Sequence, residues 1–310
     1  MNYSVYLRRY FMNDVDRLIY LTIAYSSCFS FALNRREIFV RLPLSSDLNY
    51  LFDGENHFQK KILISEQKIN KSLKKLLELS LIKTDGEYFF LQKKDLLNRK
   101  QKAFFYHSKM KEAERFASLA SKIPLIQAIA LTGSVAVANA NQKDDLDFMV
   151  ICKKNSLWLT RFLLILLIKF MNKRPGKKRD GAWCVNLFLD ENDLALDENK
   201  RTLYEAYEIL QMCFIFDRQD YQDKFLAANQ WLKNFLQIYL KLEFKQYFKQ
   251  PQKSQRSLIN QVFFYLQKTY RCLIFGQENF VLSLTQAFFN QANFKNKLRK
   301  KLAKKLLTKN

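Results

Sequence analysis

Two short stretches of this chain hold the residue types needed for chemistry on phosphate. Thr132-Gly133-Ser134 follows an apolar run, Leu125 to Leu131, of the length of one buried strand. Eleven residues beyond the serine comes Asp145-Leu146-Asp147, which runs into Phe148-Met149-Val150-Ile151. Side chains alternate along a strand, so Asp145 and Asp147 are expected on one face. Two carboxylates that close repel each other, and a divalent cation between them removes the cost. Mg²⁺ suits the place because it takes hard oxygen ligands and keeps positions for water and substrate phosphates. Gly133-Ser134, where a strand ends and a helix begins, offers backbone N–H groups and a hydroxyl to a phosphate, and glycine lets the backbone approach closely. The chemistry implied is metal-assisted phosphoryl transfer. Asp147 also interrupts an apolar strand, where a carboxylate without a function is costly. Its neighbour Asp144 is expected to point the other way and is left out of the ligand set.

These residues depend on elements between about 96 and 222. Residues 96 to about 122 read as a basic amphipathic helix ending at Pro124, ahead of the two strands just named. Trp158 to Met171 is expected as a long apolar helix, Lys173 to Arg179 as a basic loop, and Trp183 to Leu189 as a third strand closed by Asp190-Glu191-Asn192-Asp193. Helices are expected from about Thr202.

The flanks are expected to fold differently. Residues 1–95 read as three helices and a hairpin. Asn13 or Asp14 caps the first, the second runs from Arg35 or Arg36 toward Leu42, and Ser65 caps the third. Asp85-Gly86 between β-prone runs signals the hairpin. That order is similar to a winged helix, a fold that often binds DNA. Lys68, Lys71 and Lys75 share a face of the third helix, either as phosphate contacts or as a solvated face. Residues 223–310 are expected to be helical throughout. The last sixteen, Lys295 to Asn310, hold eight Lys or Arg and no acid. They read as a basic arm or as a helix end, with Leu298, Leu302 and Leu306 recurring every four residues.

Ile129 to Ile151 resembles the nucleotidyltransferase superfamily with the DNA polymerase β-like fold: two apolar residues, Gly-Ser, a helical segment, then Asp-x-Asp on the next strand. The resemblance implies an α+β chain. Its polymerase β-like core, a mixed sheet with flanking helices, would occupy 96–222, after a winged-helix-like domain at 1–95 and before a helical basic region at 223–310. It implies that Gly133 and Ser134 hold the triphosphate of an NTP, and that Asp145 and Asp147 are catalytic and bind one or two Mg²⁺ ions. An acceptor hydroxyl would then attack the α-phosphorus and expel pyrophosphate. The family usually supplies a third carboxylate from a later strand. Here the matching position is Asn186, a neutral ligand that cannot act as a base, and Asp190 reaches the place only in another register. The alternative is therefore a catalytically degenerate, nucleotide-sensing, DNA-binding regulator. The layout is also similar to bacterial nucleotidyltransferase-domain proteins with an N-terminal winged-helix-like region, through Ser156 to Arg161 and Cys184 to Leu187. Arg161 is expected either to reach a phosphate or to pack.

Bulk properties set the outer limits. The chain has 310 residues, a 48% hydrophobic fraction, and only four prolines and six glycines. That suits a folded, helix-rich chain of two or three units. No window reaches the roughly 18 uncharged apolar residues of a membrane span, so a cytoplasmic protein without a membrane partner is expected. Five scattered cysteines and two histidines give no zinc or disulfide pattern. The net charge of +23 implies polyanionic partners, nucleic acid, nucleotides or anionic lipid, or else only an AT-rich gene; a nucleotide, and nucleic acid through the basic surface, are the partners expected.

Overall fold

Helix α1 (Asp14–Ser27) starts because Asn13 accepts the Asp16 N–H at 2.9 Å. Asn34 begins α2 (Arg35–Val40) through a reciprocal box with Glu37, both bonds 2.9 Å. Ser65 caps α3 (Glu66–Glu78). These boundaries come from a computed structural model that describes residues 13–47, 51–52, 63–173, 181–242, 257–275, 281–289 and 294–307. The expected basic loop after Lys173 lies largely outside the described residues.

The hairpin is present as β2 (Lys83–Thr84) and β3 (Tyr88–Phe90). Asp85 Oδ1 accepts the Glu87 and Tyr88 N–H groups at 3.2 and 2.9 Å, and Gly86 has φ +100°. A short strand that the sequence did not signal, β1 (Leu33–Asn34), pairs with β3, so the antiparallel order is β1-β3-β2.

Helix α4 (Lys93–Ala120) leads into a six-stranded mixed sheet. Its central strands are β4 (Ile126–Thr132), β5 (Leu146–Cys152) and β6 (Trp183–Asp190), with the one-turn α5 (Gly133–Ala136) and the long α6 (Leu157–Phe170) between them. After α7 (Leu203–Gln211), β7 (Cys213–Asp217) returns to pair with β4, and α8 (Tyr221–Ala228) follows. Helix α9 (Leu258–Phe275) precedes β8 (Val281–Leu282) and β9 (Gln286–Phe288), and α10 (Phe294–Leu307) ends the described chain. The sheet order is β7-β4-β5-β6-β9-β8, with β5 and β6 parallel and the other pairs antiparallel. The class is α+β, as expected. No helix among the described residues is long and apolar enough to cross a membrane.

Three expectations need correction. Residues 223–310 are not all helical, because β8 and β9 complete the sheet through β6. Cys213–Asp217 is a strand, not part of a helical run. The C-terminal basic segment is neither a free arm nor a merely solvated end. Leu298, Leu302, Ala303 and Leu306 of α10 are buried, Lys305 donates to Ser27 Oγ at 2.9 Å, and Lys301 donates to the Cys28 carbonyl. The every-fourth leucines are a packing stripe, and two of the lysines hold the end of α1.

The sheet is covered on both sides. Ala128, Ala130, Met149, Ile151 and Leu189 join a core with α1, α3, α7, α8 and α10. Ile129, Leu131, Phe148, Val150 and Cys152 face α4, α6 and α9. Strand alternation thus turns Asp147, two places before Met149, toward the N-terminal helices and α7.

Candidate functional site

The register sets Thr132, Asp147 and Cys184 side by side at one end of β4, β5 and β6. The chain then turns at Gly133, φ +65°, into α5. A Cβ on Gly133 would lie 2.7 Å from Asp147 Oδ2. Glycine is required twice over: only it enters the left-handed region freely, and only it leaves that carboxylate room. The Gly-Ser turn and Asp147 are therefore in contact, as the sequence predicts. Because α5 is a single turn, it offers only local N–H groups and the Ser134 hydroxyl, with little helix dipole behind them.

Asn186 also arrives. The β5–β6 register slips between Phe148 and Met149, leaving Asn186 as the extra residue of a bulge. Its Nδ2 donates to Asp147 Oδ1 at 2.5 Å, and the Cys184 thiol donates to its Oδ1 at 3.0 Å. Burial pushes the Cys184 pKa up to about 12, helped by Asp147 and Asp145, so it stays a thiol and a donor. Asn186 thus reaches Asp147, and presents its donor side to it.

Burial, followed by the charges of Asp145 and Asp144, raises the Asp147 carboxyl to about 6, against the Asn186 hydrogen bond. Asp145 takes a different place. Its Oδ1 accepts the Ala182 N–H at 3.1 Å, and it is not among the residues lining the cavity described below, so it acts on Asp147 through its charge. Asp144 is tied up by Asn141, whose N–H donates to Oδ2 at 2.8 Å. Asp190 sits beside Cys152 at the opposite end of β6, fully buried, and accepts the Asn155 N–H at 2.6 Å. It cannot replace Asn186. Arg161 is buried over the Phe289 ring at 4.5 Å, with Gln267 as its acceptor, so it packs rather than entering the site.

Gly133, Ser134, Asp147 and Asn186 line one cavity of about 850 Å³, walled by α1, α7 and α10. That size suits a small molecule. Charged residues not singled out from the sequence also line it, Lys200 and Glu208 among them. Burial lowers the Lys200 pKa to about 7, and Nζ has no hydrogen-bond partner among the described residues. Burial, then Asp147 and Glu205, raises Glu208 to about 7. Glu205 and Glu208, three apart on α7, look like an ordinary solvated helix face in sequence. Lys200 precedes α7 in a polar stretch with no pattern.

Among the described residues no three carboxylate, thiol or imidazole groups could close around one ion. Mg²⁺ does not require that, since one or two carboxylates suffice when substrate phosphates supply further ligands. The Asp147 carboxylate fills the space that a Gly133 Cβ would take, so a phosphate on the turn and an ion on Asp147 would be neighbours. The residues present therefore fit an ion that enters with phosphates.

Set against protein-family models, curated proteins and solved structures, the chain matches none.

Proposed function

We propose that the chain is a nucleotidyltransferase with a polymerase β-like core, which moves a nucleoside monophosphate from an NTP to an acceptor hydroxyl. The contact between the Gly133 backbone and the Asp147 carboxylate carries this reading. It joins a phosphate-sized turn to a metal-capable acid. Gly133 and Ser134 hold the triphosphate, and Lys200, which rests over the Phe288 ring and makes no hydrogen bond, offers it a countercharge when protonated. Asp147, with Asp145 behind it, would hold Mg²⁺, which supplies charge neutralisation on the phosphates and makes the acceptor hydroxyl more acidic. The acceptor oxygen bonds to the α-phosphorus and gives its proton to water. The bond from that phosphorus to the bridging oxygen breaks, and pyrophosphate leaves with the electron pair. Asn186 orients Asp147 in place of a third carboxylate. The test is Mg²⁺-dependent binding of ATP, CTP, GTP and UTP, with labelling of candidate acceptors. Loss of binding and labelling in Asp145→Ala and Asp147→Ala supports the reading, and absence of any NTP binding ends it.

A second reading keeps nucleotide binding without turnover and makes the N-terminal unit a DNA reader. The element order α1-β1-α2-α3-β2-β3, with strand order β1-β3-β2, favours a winged helix. Lys68, Lys71 and Lys74 are exposed on α3, whereas Lys75 is drawn to buried Asp16. This reading expects duplex binding that weakens steeply with salt, and salt-insensitive or absent binding removes it.

A further inference from the structure

One wall of the cavity has a chemistry that nucleotide phosphates do not use. Glu208 enters it from α7, and no hydrogen bond or ion pair reaches its carboxyl from the described residues. The charged groups that act on it are Asp147 and Glu205, both acids. Three cations, Arg41, Lys200 and Lys295, also line the cavity, and none forms an ion pair with Glu208 among the described residues. Arg41 faces Glu37 and stands over the Phe31 ring at 5.7 Å. Lys200 Nζ rests over the Phe288 ring, with Asp197 and Glu205 as the acids acting on it. A half-buried carboxyl beside other acids, with no ion pair of its own, leaves a place for a cation.

Around it stands a wall of rings. Tyr25 packs on Phe29 at 5.5 Å, Phe29 on Phe294 at 6.2 Å, and Phe294 on Tyr204 at 5.6 Å. Tyr25 and Tyr204 are close enough to Glu208 for its charge to raise both phenol pKa values. Aromatic faces beside a carboxylate form the combination that recognises an ammonium group. A phosphate or carboxylate ligand would be repelled here, and a neutral apolar ligand would leave the carboxyl unpaired. The cavity also excludes a folded polymer by size, at about 850 Å³.

We infer that the Glu208 end of this cavity, bounded by Tyr25, Tyr204 and Glu205, binds a small organic cation, an amine that also carries a hydroxyl. Naming that molecule as the acceptor rests on the nucleotidyltransferase reading; the binding itself does not. The hydroxyl would point along the cavity toward Asp147, the ammonium toward Glu208.

Two probes of nearly equal shape separate charge from volume: choline and 3,3-dimethylbutan-1-ol. Calorimetry on the full chain at pH 8, at constant ionic strength, is expected to show choline binding at least roughly tenfold more tightly, the scale of one charged contact. Glu208→Gln abolishes that preference while Mg²⁺·ATP affinity stays within about twofold. Tyr204→Leu, checked for folding by circular dichroism, weakens choline and leaves ATP alone. The groups facing Glu208 are Asp147, Glu205, Tyr25 and Tyr204. Choline affinity should therefore rise as pH passes upward through about 7, where Glu208 ionises. Equal binding of the two probes, no binding of either, or a choline preference that survives Glu208→Gln overturns the inference. Choline preference without ATP binding would fail only the nucleotide reading, and ATP binding without choline preference would fail only this one.

Discussion

Replacing Asp147 with asparagine should make the protein more stable at alkaline pH while abolishing Mg²⁺·ATP binding. The Asp147 carboxyl is raised from 3.8 to about 6, by burial first and by Asp145 and Asp144 next. That displacement corresponds to about 3 kcal/mol of cost for holding the ionised form in the folded chain. The sign follows from proton linkage. A group whose folded pKa is raised contributes fully below its unfolded value near 3.8, and the contribution is lost as pH rises to about 6. At pH 8 the wild type carries the whole cost; at pH 4 it carries little. Asparagine keeps an oxygen for the Asn186 Nδ2 donor and removes the charge. Salt screens part of the repulsion from the two half-buried aspartates, so a gain of about 1–3 kcal/mol is expected at pH 8 and near zero at pH 4. Urea unfolding of both proteins at the two pH values measures it, and the midpoint should move upward by up to roughly 1 M at pH 8. Mg²⁺·ATP at a hundred times its dissociation constant should stabilise the wild type by about 2.7 kcal/mol and the variant not at all. A variant less stable at pH 8, or equally stabilised at both pH values, would refute the claim that Asp147 is a charge held at a cost for binding.

Gly133→Ala should lower stability by about 1–2 kcal/mol, because alanine must enter φ +65°. The added Cβ would also displace the Asp147 carboxylate 2.7 Å away; Mg²⁺·ATP titration should show no binding, and wild-type affinity would break the link between turn and acid. Lys75→Met should cost about 3 kcal/mol in urea unfolding, because Asp16, 1% exposed, keeps only the Ser72 hydroxyl at 2.6 Å and loses its cation. If the N-terminal unit binds duplex DNA, alanine at Lys68, Lys71 and Lys74 together should reduce the slope of log affinity against log salt by about 3, with no change in stability; an unchanged slope would remove those lysines from the contact.

Features that depend on neighbours in sequence were legible, and features that depend on distant pairing were not. Asn13 and Ser65 cap the helices they were expected to cap, because a cap bonds to N–H groups two or three residues away. The Asp85-Gly86 hairpin closes on itself for the same reason. Strand β7 was missed although Cys213-Phe214-Ile215-Phe216 is apolar, because a four-residue apolar run continuing a helical pattern is ambiguous. Strands β8 and β9 were missed because two or three residues carry no periodicity. Their strand character comes from β6, about a hundred residues earlier, where Leu187 to Leu189 face Gln286 to Phe288.

The site divides along the same line. Gly133 and Asp147 were found because the chemistry of each is written in its own segment: a glycine at a strand end, an acid inside an apolar strand. The expected pairing of Asp145 with Asp147 persists as a charge acting on Asp147. Period-two alternation holds within a strand, but Asp145 precedes the first paired residue, Leu146, and the Ala182 N–H claims its carboxylate. Asn186 was placed by assuming an unbroken β6; it reaches Asp147 instead through a bulge, which sequence does not announce. Glu208 and Lys200 had no local signal at all, since a glutamate three places after another on a helix is normally wet. What makes them chemical is the ring wall that α1 and α10 lay over α7, brought together from opposite ends of the chain. The flanking units therefore do more than accompany the Asp147 core: they wall its acidic edge into a cavity, and in doing so they decide what can enter it.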